Sequence, residues 1–290
     1  MKVNGCNCSL VIKTTQLEMD IPYSDETIRE AVSLLEEEAA IEGNGNCSAI
    51  RKMTGVTGCV VTPLTIDTAP LLFFLAMGSV WKPVYVSGTR NLYRYSLDIL
   101  PMEDTIHFNL IQKRGEERRL FVDCRVKSFE LRVLRDEAVK LKLEITSDRQ
   151  PIALLNTESF YRECGERFSG NYVTYRINGK DYQNIYGITL VSKKEGGTKT
   201  ELWIKRALEQ EADLPHFIDE IIIIGKLLRD KYEGDIFGTF SITLKNLFLK
   251  SDETQINSVD TVIGPLRYYV SGLVSAETMS SEELGMRNEQ

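Results

Sequence analysis

Residues 129–145 read FELRVLRDEAVKLKLEI. Phe129, Leu131 and Val133 alternate with Glu130 and Arg132, and Val139, Leu141, Leu143 and Ile145 alternate with Lys140, Lys142 and Glu144. A two-residue interval sends successive side chains to opposite faces of a strand, so each run has one apolar and one charged face. Asp136-Glu137 between them predicts a turn and makes the pair a β-hairpin.

The same period extends upstream. Tyr93, Tyr95, Leu97 and Ile99 alternate with polar residues, as do Ile106, Phe108 and Leu110, and then Leu120, Val122 and Cys124. The charged turn Lys113-Arg114-Gly115-Glu116-Glu117-Arg118 joins the last two runs, with Gly115 supplying the backbone freedom a tight hairpin needs. Five strands with short connections and a polar face predict an antiparallel sheet curling into a sandwich or barrel.

Before this region the pattern is helical. Ile28, Val32, Leu35 and Ala39 recur at helical spacing over residues 27–42, with Ser24 or Asp25 as N-cap and Gly43 as stop. Gly43-Asn44-Gly45-Asn46 predicts a turn, and Gly55 and Gly58 predict loop before Val60-Val61. A second helix is expected over Thr68–Met77, capped by Asp67 or Thr68, with Pro70 in its first turn and Gly78 at its C-terminus. Its Leu71-Leu72-Phe73-Phe74-Leu75 run is too apolar to face water, which predicts burial against a sheet or exposed Phe73 and Phe74 at a subunit contact.

Beyond residue 148 the pattern fades to a linker or crossover, then strands resume. Ile185–Val191, the turn Lys193–Gly197 and Glu201–Ile204 predict a hairpin. Ile221–Ile224 reads as a buried β-branched run, Phe240, Ile242 and Leu244 as a strand, and Leu266, Tyr268, Val270, Gly272 and Val274 as one last long strand. A short helix is expected near Lys205–Glu211, and residues 280–290 form a polar tail. The division is a β domain over residues 1–155, a linker over 156–179 and a second β-rich domain over 180–279.

Composition narrows the function. With 42% hydrophobic residues the chain can bury a core, and 35 basic against 42 acidic residues leave a net charge of −7. That balance argues against gripping a phosphate backbone, which draws on clustered Lys and Arg. The longest apolar stretch, Ala69–Trp81, falls short of the ~20 residues of a membrane helix. Residues 1–9 have no apolar signal core, so synthesis in a cytoplasm is expected. Of Cys6, Cys8, Cys47, Cys59, Cys124 and Cys164, only Cys6 and Cys8 form a close pair, with no second pair to complete a zinc site, which predicts free thiols.

No local motif for phosphate cradling, a nucleophile elbow or a zinc protease occurs. His107 is expected on an outward strand face and His216 in a turn after Pro215. The carboxylate pairs Asp123 with Glu130 and Asp252 with Glu253 read as solvated surface, and the basic residues of the Lys113–Arg119 hairpin are interleaved with acidic ones. No catalytic, cofactor-binding or metal residue is therefore assigned, and no cofactor.

Several segments carry a resemblance. Gly55-Val56-Thr57-Gly58 is followed by Pro63-Leu64-Thr65-Ile66-Asp67-Thr68-Ala69-Pro70-Leu71-Leu72 and ends at Ala76-Met77-Gly78-Ser79; then come Thr105–Gln112, Gly115 and Arg119–Leu131. This succession is similar to the tail tube proteins of long-tailed bacteriophages, with Asp123 standing where that family often has Gly. The likeness covers residues 24–155 and returns weakly from Gly264-Pro265-Leu266 to Ala276.

The resemblance implies a non-enzymatic virion protein. It would stack in rings as the tail tube, a conduit for DNA, and be assembled in the host cytoplasm beside tape measure, terminator and baseplate proteins. Some members carry two tandem tube domains and build rings of three chains instead of six, and the length here favours a trimer. The alternatives are a ligand-binding β-sandwich module, or another tail or injection-system component such as a tail terminator or baseplate hub.

Overall fold

The computed structural model describes residues 8–14, 18–36, 49–78, 83–85, 93–98, 106–154, 165–207, 214–228, 236–252, 262–272 and 274–280. These residues form a mainly β structure with one α-helix. The first strands are β1 (Cys8–Lys13), β2 (Glu18–Asp20), β3 (Asp25–Glu26), β4 (Arg29–Glu36) and β5 (Ala49–Pro63). Helix α1 (Ala69–Met77) precedes β6 (Pro83–Tyr85), β7 (Tyr93–Asp98), β8 (Phe108–Arg114), β9 (Glu117–Leu134), β10 (Lys140–Ser147) and β11 (Ile152–Ala153). A single 3-10 turn, Gly170–Tyr172, leads into β12 (Val173–Ile177), β13 (Lys180–Tyr182), β14 (Ile185–Lys193) and β15 (Lys199–Ala207). The chain ends in β16 (Phe217–Leu228), β17 (Ile236–Asp252), β18 (Val262–Val270) and β19 (Val274–Ser280).

The alternating runs become strands and most of their apolar residues face inward, but in the Leu120, Val122, Cys124 run the phase is corrected: Phe121 and Cys124 are buried, while Leu120 and Val122 are half-buried. Tyr95 and Leu97 on β7, Phe129, Leu131 and Val133 on β9, and Leu141, Leu143 and Ile145 on β10 are all buried. Arg114 pairs Glu117 across Gly115, whose φ of 63° is the left-handed value a two-residue turn requires. The two predicted strands ending at Cys124 and starting at Phe129 are one strand of eighteen residues, β9. A register slip where Phe108 meets Cys124 and Leu110 meets Phe121, and another beside Glu144 and Ile145, keep its apolar residues inward while it bends.

Other expectations are corrected. Residues 29–36 form strand β4, because eight cross-strand pairings, from Arg29 with Thr57 to Glu36 with Ala49, override their helical spacing. Thr27 and Ile28 are not helical either, and residues 37–42 of that predicted helix and the Gly43–Asn46 turn lie outside the described residues. Gly55 and Gly58 sit inside β5 instead of breaking it, and a Cβ at Gly58 would lie 2.4 Å from Ile28 Cα, so the missing side chain admits the crossing backbone. Within the predicted linker, Val173–Ile177 is β12. Lys205–Ala207 belongs to strand β15, not to a helix. In the isoleucine run only Ile221 and Ile223 are fully buried, since β16 alternates like its neighbours. The last long strand is interrupted near Gly272 and continues as β19 to Ser280; residues 281–290 are outside the described part.

Helix α1 starts after Thr68, carries Pro70 in its first turn and ends at Gly78, whose φ is 81° and whose N–H donates to the Phe74 carbonyl at 2.8 Å. Phe73 is fully buried and Phe74 mostly so; neither is offered to a subunit contact. Phe73 packs 6.1 Å from Phe240, which Phe168 meets edge-on at 5.0 Å. At about 1.5–3 kcal/mol per buried large apolar side chain, this helix is a main contributor to the core.

The strand pairings repeat. The order β4–β5–β10–β9–β8–β1–β2, with β3 beside β5 and β11 beside β9, recurs as β14–β15–β18–β17–β16–β12–β13, with β19 beside β17. Registers repeat too. Leu143 pairs Phe129 as Leu266 pairs Asp252, and Ala153 pairs Arg119 as Ala276 pairs Ile242, 123 positions further on in every case. Phe121 and Cys124 are buried on β9, and their equivalents Leu244 and Leu247 are buried on β17. Each long strand also has one non-glycine residue in the left-handed region at the same point, Asp123 at φ 59° and Asn246 at φ 55°. The described chain is thus two copies of one bent sheet unit, beginning at Cys8 and Val173 and sharing one buried cluster.

Candidate functional site

Two structural features bear on function, the joint between the units and the outer strands at the other end of the sheet. In the joint β14 pairs with the C-terminal part of β9, from Gly187 opposite Leu134 to Lys193 opposite Ser128. Beyond its ends, Arg135 N–H donates to the Tyr186 carbonyl at 3.0 Å and Lys194 N–H to the Lys127 carbonyl at 3.0 Å. Gly187 permits the contact, since a Cβ there would lie 2.7 Å from the Val133 carbonyl oxygen. Lys127 Nζ meets Glu195 at 2.6 Å, and this bond raises the Lys127 pKa.

Lys194 is anomalous. Its side chain is 1% exposed, its Nζ has no hydrogen-bond partner, and burial pulls its pKa down to about 8. A buried ammonium without a counter-charge is costly, so the joint carries an electrostatic strain.

At the other end of the sheet, β3 and β4 pair with β5 alone among the described residues. Arg114 covers Glu26 at 2.7 Å and Arg119 holds Glu30 at 3.1 Å, so the charged hairpin of β8 and β9 braces this edge. The remaining outer strands are short, as at β2, β11 and β13, or start with proline, as at β6.

An outer face of the second unit carries three exposed aromatics side by side. Phe217 is cross-strand from Phe248, and Phe248 from Tyr269. They are 41%, 49% and 42% exposed, and the two phenylalanine rings are 4.9 Å apart. Next to them Lys250 bonds Glu201 at 2.6 Å and holds its carboxyl below the usual range, while Arg267 lies 4.5 Å over Trp203. Such a row is the kind of exposed apolar patch that marks contact surfaces. Sequence reasoning missed it because each residue alone fits a strand.

The residues weighed for catalysis are scattered. His107 is exposed and its Nδ1 pairs with the Asp123 carboxylate, which it holds below its ordinary pKa; Arg149 lies 3.9 Å from the same carboxylate. Glu130 lies on the outer side of β9, and His216 is exposed next to β16. Asp252 ends β17, and Glu253 is outside the described residues. Among the described residues no three His, Cys, Asp or Glu side chains gather as a metal site. Cys8, Cys59 and Cys124 are free thiols, with Cys124 pushed up to about 12 by burial; Cys6, Cys47 and Cys164 are outside the described residues. No helix among the described residues is long and apolar enough to cross a membrane.

A cleft of about 260 Å³ opens beside the joint, lined by Arg135, Asn171, Tyr175, Tyr182, Gln183 and Tyr186. No protein-family model matches the chain, and no curated protein matches it.

Proposed function

We propose that this chain is a structural virion protein that assembles into stacked rings as the tail tube of a long-tailed bacteriophage, through which DNA passes on ejection. Its partners are further copies of itself, three to a ring, and the tape measure, terminator and baseplate proteins of the tail. It acts in the virion, after assembly in the bacterial cytoplasm, and performs no catalysis.

The observation that carries this reading is the duplication. A ring needs one sheet unit joined to the next through the same contact, and this chain already holds one such contact, β14 on β9. Three chains of two units then make six units per ring. The resemblance gains support at one residue: Asp123, where the tail tube family often has Gly, has the positive φ that glycine adopts most readily. The net charge of −7 suits a wall past which DNA slides without being held.

A ligand-binding sandwich is the second reading, and among the described residues the cleft by Arg135 supports it. At about 260 Å³ it lies below the ~300–1,000 Å³ of typical ligand sites. Negative-stain microscopy of the purified protein tests the proposal. Tubes or stacked rings of constant width are expected. Single rings that never stack would favour a terminator or hub, and a monomer at every concentration would defeat the assembly reading.

A further inference from the structure

We propose that the cleft beside the joint binds a single sugar-acid residue, a six-membered sugar ring carrying one carboxylate. The site goes beyond the assembly reading and does not rest on it.

The cleft is built where the two units meet. Arg135 comes from the turn between β9 and β10 in the first unit, and Asn171, Tyr175, Tyr182, Gln183 and Tyr186 come from the second. Its walls are tied together. Gly170 N–H donates to the Glu137 carbonyl at 2.8 Å, and a Cβ at Gly170 would lie 1.9 Å from the Leu134 carbonyl oxygen, so the missing side chain lets the two turns close up. Arg135 N–H donates to the Tyr186 carbonyl at 3.0 Å, and its guanidinium donates to the Gln183 carbonyl at 3.1 Å. Asn171 Oδ1 accepts from Asp136 N–H at 3.0 Å, which leaves the side-chain NH2 as a donor.

The duplication supplies an internal control. Leu110 and Ile221 are equivalent, since they pair with the equivalent residues Phe121 and Leu244. Two positions further along, Tyr175 opposite Ile223 matches Leu10 opposite Gln112. Tyr182, opposite Tyr175, matches Ile21, whose N–H donates to the Leu10 carbonyl. Leu10 and Ile21 are buried aliphatic residues. The strands therefore need no tyrosine at either place, yet the second unit puts two phenols there on the wall of a cleft.

The lining selects the ligand. Among the described residues it includes no carboxylate, and nearby Asp181 is held by Arg176 at 2.9 Å. The one charged lining residue is Arg135, whose guanidinium has five N–H donors and gives one to Gln183, so a carboxylate can be met there. Burial pushes the Tyr175 pKa up against the smaller pull of Arg135, so its hydroxyl keeps its proton and can donate. A ligand that expels water from these phenols and amides must replace their hydrogen bonds, which an apolar acid does not do and a ring of hydroxyls does. The tyrosine rings add rigid apolar area beside the donors, the combination through which tyrosine and asparagine serve antibody binding sites. At about 260 Å³ the cleft falls short of drug-sized ligand sites and suits one ring.

Calorimetric titration of the full chain with glucuronate tests the site. Saturable binding is expected, with glucose and acetate each about tenfold weaker or more, because each supplies only part of the contacts. Arg135→Gln should weaken glucuronate about tenfold or more and glucose far less. Tyr182→Ile, which installs the residue of the first unit, should weaken both sugars. Melting curves check that the variants keep their fold. Arg135→Lys keeps the charge and loses the planar fork, so it should also weaken glucuronate, and it carries the test if the glutamine variant does not fold. Acetate or inorganic phosphate bound as tightly as glucuronate would reveal a plain anion site and overturn the sugar, and equal binding of glucose would overturn the carboxylate. No saturable glucuronate binding, or binding that the Arg135 variants leave unchanged, would overturn the site. None of these outcomes bears on whether tubes form, so microscopy judges the assembly reading separately.

Discussion

The two sheet units share a strand order and differ in what lies between β5 and β8 in the first and between β15 and β16 in the second. In the first, residues 64–107 separate β5 from β8 and supply α1, β6 and β7; in the second, residues 208–216 separate β15 from β16. The longer insert does not serve its own unit alone. Phe73 of α1 packs on Phe240 of β17, and β7 pairs with β19 along six positions. The place equivalent to Phe240 in the first unit is Glu117, exposed at the hairpin tip. Duplication thus accounts for the strands, and the insert welds the copies into one body.

The weld makes the largest prediction. Leu72 is fully buried in α1, so Leu72→Asp places an unpaired charge in the shared core and is expected to cost more than about 4 kcal/mol. Denaturant unfolding should show both units lost in one transition. Two separate transitions, with one unit spared, would break the comparison. Next, Phe240→Ala is expected to cost about 3–5 kcal/mol and its equivalent, Glu117→Ala, less than about 0.5 kcal/mol. Similar losses at both positions, measured by chemical denaturation, would mean that α1 does not set the units apart.

Lys194 tests the joint. Its pKa falls from 10.5 to about 8 on folding, so the unfolded chain binds the extra proton between those values and stability rises as pH climbs from about 8 towards 10.5. Below pH 8 the full penalty is present, about 3 kcal/mol. Lys194→Met should stabilise the protein at pH 7 by up to that amount and remove the alkaline rise; an unchanged pH profile of melting would refute the assignment. The smallest effect is at the paired left-handed residues. Asn246→Gly should gain up to about 1 kcal/mol by relieving its positive φ, while Asp123→Gly should gain less, because it also forfeits the His107 pair. Thermal melting of the two variants side by side measures the difference.

The strands of the first unit were legible where one face is buried and the other wet, as along Phe129–Val133 and Leu141–Ile145. Strand β4 was not, because Arg29-Glu30-Ala31-Val32-Ser33-Leu34-Leu35-Glu36 contains helix formers at helical spacing, and only pairing with β5 decides otherwise. Strand β12 was overlooked although Val173, Tyr175 and Ile177 alternate with Thr174 and Arg176, because five residues between turns are a short signal. The duplication is recorded in burial and register more than in residue identity. Tyr268 takes the place of Ile145, and Leu247 that of Cys124: shape and apolarity persist at each site while the side chain changes. The joint depends on which strands meet, and no local pattern states that.

The packing of Phe73 against Phe240 also sets a timetable for synthesis. A ribosome adds about 5–20 residues per second, so roughly 10–30 s pass between the two rings entering the nascent chain. Through that interval the nine-residue apolar helix has only β7 and β9 of its final partners, and the edge of β7 that pairs with β19 has none. The growing chain therefore passes through a long window in which its stickiest segment must be shielded by a chaperone or by transient contacts. Only when the last strands arrive is the first half sealed, and a chain stopped before Phe240 is left with that helix incompletely covered.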